Sequence, residues 1–199
     1  MGLTKLEAVN IILDAIGETP VSSLESGLPD AEAAETKLNE INKTVQAKGW
    51  HQNTEKKLKL MPDSNKNIIV PANYLRVDTT GTSQATNVSV RTYQNKSMLY
   101  DVKNQRFTFE NDLYADVIIL LAFADLTLEL ANYIAYRTAR KFQEAQMQST
   151  TLDAFTVRAE MEAYAALMDS ETENEDSNIL TDNEHCWYLT NRNHRLSGY

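Results

Sequence analysis

Apolar residues repeat every three to four positions near both ends of this 199-residue chain and every second position through much of its middle. That change of period constrains the fold more than any other feature, because a helical pattern and a strand pattern bury incompatible sets of side chains. The first helix is expected from Thr4 to Ile16: Thr4 and Glu7 have capping-box spacing, Leu6, Val9, Ile12, Leu13 and Ile16 share a face, and Gly17 supplies the stop. A turn follows, bounded by Pro20 and Pro29, and a second helix starts at Pro29 or Asp30 with Ala34, Leu38, Ile41 and Val45 inward and Gly49 closing it. Two helices joined by a short polar link pack as a hairpin.

Beyond Trp50 the alternation begins. Residues 56–62 and 69–77 alternate, the latter around Pro71, and 81–87 reads as a polar loop. Val88 to Tyr93, Met98 to Val102 and Arg106 to Phe109 read as short strands, the last two forming a hairpin that turns at Lys103 and Asn104. Asp116 to Ala124 is read as a final strand, with the start of a helix as the alternative. Helical spacing then returns from Leu126 to Gln148, with Leu126, Leu130, Ile134 and Phe142 inward, and from Thr151 to Met168, with Leu152, Phe155, Ala159, Ala163 and Leu167 inward. The predicted fold is therefore α+β: about four helices from both chain ends form a bundle, and an antiparallel β-sheet domain is inserted between them. Residues 1–50 would be the N-terminal hairpin, 51–124 the β domain, 125–168 the C-terminal helices, and 169–199 an extended acidic tail.

Charge is distributed unevenly. Residues 1–110 hold thirteen bases and thirteen acids, whereas 111–199 hold six and fifteen, and Asp169 to Glu184 alone supplies seven acids and no base. The net charge of −9 thus belongs mainly to the tail, and nothing marks a basic face for duplex DNA. A single cysteine, Cys186, excludes an intramolecular disulfide and suits a reducing compartment. No signal peptide or membrane span is expected, the most apolar stretch, 117–124, being far shorter than the roughly 20 residues a spanning helix needs.

The chain carries no GxSxG, Walker loop, GxGxxG or HExxH, so no catalytic residue, cofactor or metal is expected. His185, Cys186 and His194 lack a metal-binding spacing. Paired acids such as Glu160/Glu162 or Asp14/Glu18 are what a glycosidase-like hydrolase would draw on. On helical spacing the first pair points to different faces and the second shares a solvated one.

Five segments, taken in order, resemble one family: AVNIILDAIGETPVSSLE, LNEINKTVQAKGWHQNTE, IIVPANYLRVD, LYDVKNQRFTF and ANYIAYRTARKFQ. Together they cover about residues 6 to 168 and resemble the tail tubular protein A family of short-tailed bacteriophages. The resemblance implies a virion protein of the phage tail, assembled in the host cytoplasm. It would be a head-to-tail adaptor of twelve copies in a ring between the portal protein and the tail nozzle protein, and the genome would pass through it without sequence-specific binding. The alternative reading is a tail-borne cell-wall or polysaccharide hydrolase.

Within that frame three groups of residues stand out. Gly49 and Trp50 would form a fixed joint between bundle and sheet, or Trp50 would simply be a core residue. Arg137, Arg140 and Lys141 lie at i, i+3 and i+4, so they would face a neighbouring subunit or form a solvated face near a helix C-terminus. Trp187, Tyr188 and Leu189, behind the acidic spacer, would bind the portal or pack back on their own domain.

Overall fold

The computed structural model describes residues 2–146 and 150–182. Four helices and five strands follow in the order α1 (Lys5–Ala15), α2 (Pro29–Gln46), β1 (Thr54–Leu60), β2 (Tyr74–Thr79), β3 (Val88–Tyr93), β4 (Lys96–Asp101), β5 (Leu113–Ile119), α3 (Leu128–Gln146) and α4 (Thr150–Asp182). The architecture is α+β, with helices from both chain ends and an antiparallel β insertion.

Local sequence accounts for the first helix ends. Thr4 and Glu7 cap α1 reciprocally: the Glu7 N–H donates to Thr4 Oγ1 at 3.2 Å and the Thr4 N–H to Glu7 Oε2 at 2.7 Å. Pro29 opens α2, where its missing N–H costs nothing. In the bundle α1, α2 and α4 all pack on α3. Helix α3 accordingly buries Leu130, Ala131, Ile134, Ala135, Ala139 and Phe142, a set wider than a single amphipathic stripe. These side chains share one core with Val9, Ile12, Leu13, Leu38, Val45, Trp50 and Leu167.

The β region holds two sheets. One has the strand order β1–β5–β2, the other is the hairpin β3–β4, and every pairing is antiparallel. A second, smaller core of Ile68, Val70, Leu99, Phe109 and Leu113 lies between them.

Four expectations are corrected. The alternating run 69–77 splits at Pro71, which has no N–H to give to a ladder. Its first part lies along β4, with the Val70 N–H donating to Ser97 O at 2.8 Å, and its second part becomes β2 beside β5. Residues 106–109 form isolated bridges rather than a strand, Asp101 pairing with Arg106 and Asn67 with Thr108. The regular hairpin is β3–β4, which turns at Gln94 and Asn95, both with positive φ (50° and 59°), as a two-residue hairpin turn requires. The last strand spans Leu113–Ile119 rather than 116–124, and the chain leaves it for a single 3-10 turn at Phe123–Asp125.

The fourth correction concerns α4, which continues past Met168 to Asp182, so the acidic run begins inside a helix. No glycine or proline interrupts it, and the Thr172 hydroxyl and the Asn174 amide donate to the carbonyls of Met168 and Ser170, four residues back. Among the described residues no helix is long and apolar enough to cross a membrane.

Asp101, at the end of β4, is only 2% exposed. Burial pushes its carboxyl up, but the Asn104 backbone and side-chain N–H groups, the Lys103 N–H and the Arg106 charge together outweigh burial and hold it below its ordinary 3.8. The folded state therefore prefers the carboxylate. Its contribution is complete above the unfolded value and is lost as pH falls through the lowered folded value. Asp101→Asn should lower the melting temperature at neutral pH and flatten the decline below about pH 4. Parallel stability-against-pH curves for the two proteins would contradict this assignment.

Candidate functional site

Two features of the chain have a defined geometry: the junction of bundle and sheet, and the charged seam between α3 and α4. The junction starts where α2 ends. Gly49 has φ +82°, and a Cβ there would meet Ile118 Cδ1 at 2.7 Å, so both the turn and the close approach of β5 require glycine. Trp50 is buried, donates its indole N–H to Val45 O at 2.8 Å and meets the Tyr133 ring edge-on at 6.4 Å.

The polar part of this junction escaped the sequence reading. Gln46 is fully buried, and its side-chain amide engages both backbone groups of Leu121: Nε2 donates to Leu121 O at 3.1 Å, and the Leu121 N–H donates to Oε1 at 2.8 Å. The second Nε2 proton goes to Asn42 Oδ1 at 2.9 Å. Asn53, also buried, accepts the Trp50 N–H at 2.7 Å and donates to the carbonyls of Gln46 and Ile119, each at 3.0 Å. Two amide side chains thus tie the end of α2 to the exit of β5, across 75 residues of sequence for Gln46. The signal was present: Asn42 and Gln46 are polar residues at i and i+4, adjoining the Ile41 and Val45 core positions.

The second feature lies on α3 and α4, which run antiparallel. Arg137 NH1 pairs with Glu160 Oε1 at 2.9 Å and Arg140 NH1 with Glu160 Oε2 at 3.1 Å, while Arg140 Nε also reaches Glu144 at 3.1 Å. Lys141 pairs with Glu144 at 2.8 Å. Glu160 is 9% exposed and receives both guanidinium groups, an arrangement that offsets the cost of burying a carboxylate. Arg137 also donates to the Tyr133 hydroxyl at 3.0 Å, and burial is the main cause that raises the Tyr133 phenol above its ordinary value. Side-chain hydrogen bonding from Lys141 is the main cause that lowers Glu144. The three basic residues are brought together as the helical spacing requires, and within the chain they are engaged by acids of α3 and α4.

The outer side of α4 differs. Met161, Tyr164 and Met168, at i, i+3 and i+7, are 65%, 40% and 37% exposed. Beside them a cleft of about 290 Å³ runs between Leu128, Asn132 and Tyr136 of α3 and Ala159, Ala163 and Ala166 of α4.

The carboxylates Glu160 and Glu162 have different surroundings. Glu160 is neutralised in the seam, whereas Glu162 pairs with Arg158 on the exposed side at 2.9 Å. Among the described residues no three His, Cys, Asp or Glu side chains converge as a metal site. His185, Cys186, His194 and the cluster Trp187, Tyr188 and Leu189 lie outside the described residues.

A family model described as tail tubular protein matches residues 6–177, which include α2, α3, both sheets and most of α1 and α4. The tail tubular protein A of Klebsiella phage KP34 is 26% identical over 141 residues, covering 70% of this chain and 72% of that relative.

Replacing Gln46 with Met keeps the volume and removes the amide. Buried backbone groups of Leu121 then lose their partner, so unfolding in urea should show a loss of about 2–4 kcal/mol. A loss under about 1 kcal/mol would mean that the junction does not depend on this side chain.

Proposed function

The chain belongs to the tail tubular protein family, and from that premise we propose that it is a head-to-tail adaptor, a ring of subunits between the phage portal and the tail nozzle through which the genome passes. As a component of the phage tail its work is structural, so its functional sites are contact surfaces. The observation that carries the reading is the extent of the family match, which runs through bundle, junction and sheet rather than through one element.

A closed ring of identical subunits needs two different surfaces per copy, one given and one received. The stripe Met161–Tyr164–Met168 is a good candidate for one of them: it is apolar, exposed, and held on a rigid helix. In this proposal Arg137 and Arg140 serve the interface by fixing α4 on α3 through Glu160, with Lys141 holding Glu144 beside them, and so set the direction in which the stripe points. Gly49 and Trp50, with the amides around them, set the angle at which the sheet leaves the bundle. Twelve copies is the stoichiometry that the resemblance implies.

Trp187, Tyr188 and Leu189, which begin five residues beyond the end of α4 in the sequence, are proposed to dock on the portal. Because α4 extends to Asp182, a truncation that removes 183–199 leaves every described element in place. The truncated protein should keep its melting temperature and lose co-sedimentation with purified portal. Undiminished binding would refute the assignment of this cluster to the portal.

A further inference from the structure

The β3–β4 hairpin carries a second surface, whose chemistry differs from the rest of the chain. Residues 88–107 hold four bases, Arg91, Lys96, Lys103 and Arg106, and one acid, Asp101, a net of +3 in a protein of net −9. Directly opposed residues of an antiparallel pair share a face, so the pairs Arg91–Met98, Tyr93–Lys96 and Ser89–Tyr100 put Arg91, Tyr93, Lys96 and Tyr100 on the same side. There the Arg91 guanidinium lies 3.7 Å above the Tyr100 ring, Phe107 packs edge-on to Tyr100 at 4.9 Å, and Tyr93 stacks on Phe107 at 4.7 Å. Arginine and tyrosine held rigid in this way cost little further entropy on binding. Lys96 and Lys103 are exposed and form no ion pair among the described residues.

The complementary charge is elsewhere in the same chain. From Asp169 to Asp182 helix α4 has six acids and no base. Such a helix repels itself and gains from a basic neighbour. Its level in the molecule is set by three contacts. The Thr127 N–H, just ahead of α3, donates to Gln52 Oε1 at the junction; α4 returns antiparallel along α3; and Glu171 of α4 accepts the His51 N–H at 2.8 Å, again at the junction. The eleven residues from Thr172 to Asp182 therefore run about 16 Å past the junction toward the sheet, close to the length of its six- and seven-residue strands.

We propose that in the ring the acidic end of α4 from one copy docks on the Arg91–Tyr93–Lys96–Tyr100 face of the next copy's hairpin and on Lys103 in the turn that follows β4. This rests on the ring reading given above and names the contact at the level of the sheet. The contact is heterologous, each copy giving one α4 end and receiving another, which is the form a closed ring needs. It also explains why the acids are concentrated at the end of α4 instead of spread over the surface.

The test uses full-length protein assembled with purified portal. Lys96→Glu with Lys103→Glu should raise the concentration for half-assembly about tenfold or more at moderate salt. Adding Asp169→Lys and Glu173→Lys to the same chain should restore assembly, and the melting temperature of each variant shows whether it is folded. In wild-type rings of mixed isotope-labelled and unlabelled copies, carbodiimide should join Lys96 or Lys103 to a carboxylate of 169–182 across copies. Rings that form at the wild-type concentration with Lys96→Glu and Lys103→Glu overturn the docking and leave the ring reading intact. Unchanged assembly with loss of duplex DNA retention reassigns the surface to nucleic acid. Failure of the wild-type protein to form a ring overturns both.

Discussion

A fully buried amide, that of Gln46, decides how the two halves of this protein sit together. It occupies the last turn of α2 and satisfies both backbone groups of Leu121, where the chain leaves β5 on its way to α3. A peptide group leaving a sheet loses its ladder partners, and inside a protein it needs replacements. Gln46 supplies them with an amide that has one donor and one acceptor aligned for the purpose, and Asn53 does the same for the Ile119 carbonyl. Because polar groups of this kind are costly to leave unpaired, the junction has one favourable register. These bonds hold the exit of β5 against the end of α2.

The helical half was legible because its signals are local. Thr4 and Glu7 cap α1, Pro29 opens α2, and Leu130, Ile134 and Phe142 of α3 are buried as their spacing requires. The β half was legible in kind but less so in detail. Alternation located β1 and β3, yet it could not show that Pro71 divides one run between two sheets, nor that 106–109 pairs only through bridges. The turn at Gln94–Asn95 lacks the glycine that usually marks such hairpins.

At the candidate site, Gly49 and Trp50 drew notice as residue types, while Gln46 and Asn53 did not, because their value lies in backbone groups many residues away. The bases Arg137 and Arg140 were legible as a face. Their acid, Glu160, comes from the following helix, and no periodicity links the two.

Charge separates the molecule into a nearly neutral body, a basic hairpin surface and an acidic helix end. Such separation directs contacts between molecules more than it contributes to the fold. The fixed junction matters here too, since a surface on the sheet can meet a neighbour's helix only if the sheet is held at a constant angle to its own bundle. What we propose is therefore geometric: rigid subunits closing into a ring on the portal. Electron microscopy of the purified protein mixed with portal measures this most directly. The account predicts a closed ring beneath the portal whose subunits keep the bundle–sheet orientation seen in the single chain. Portal particles without a ring, or rings in which the sheet has swung away from the bundle, would contradict it.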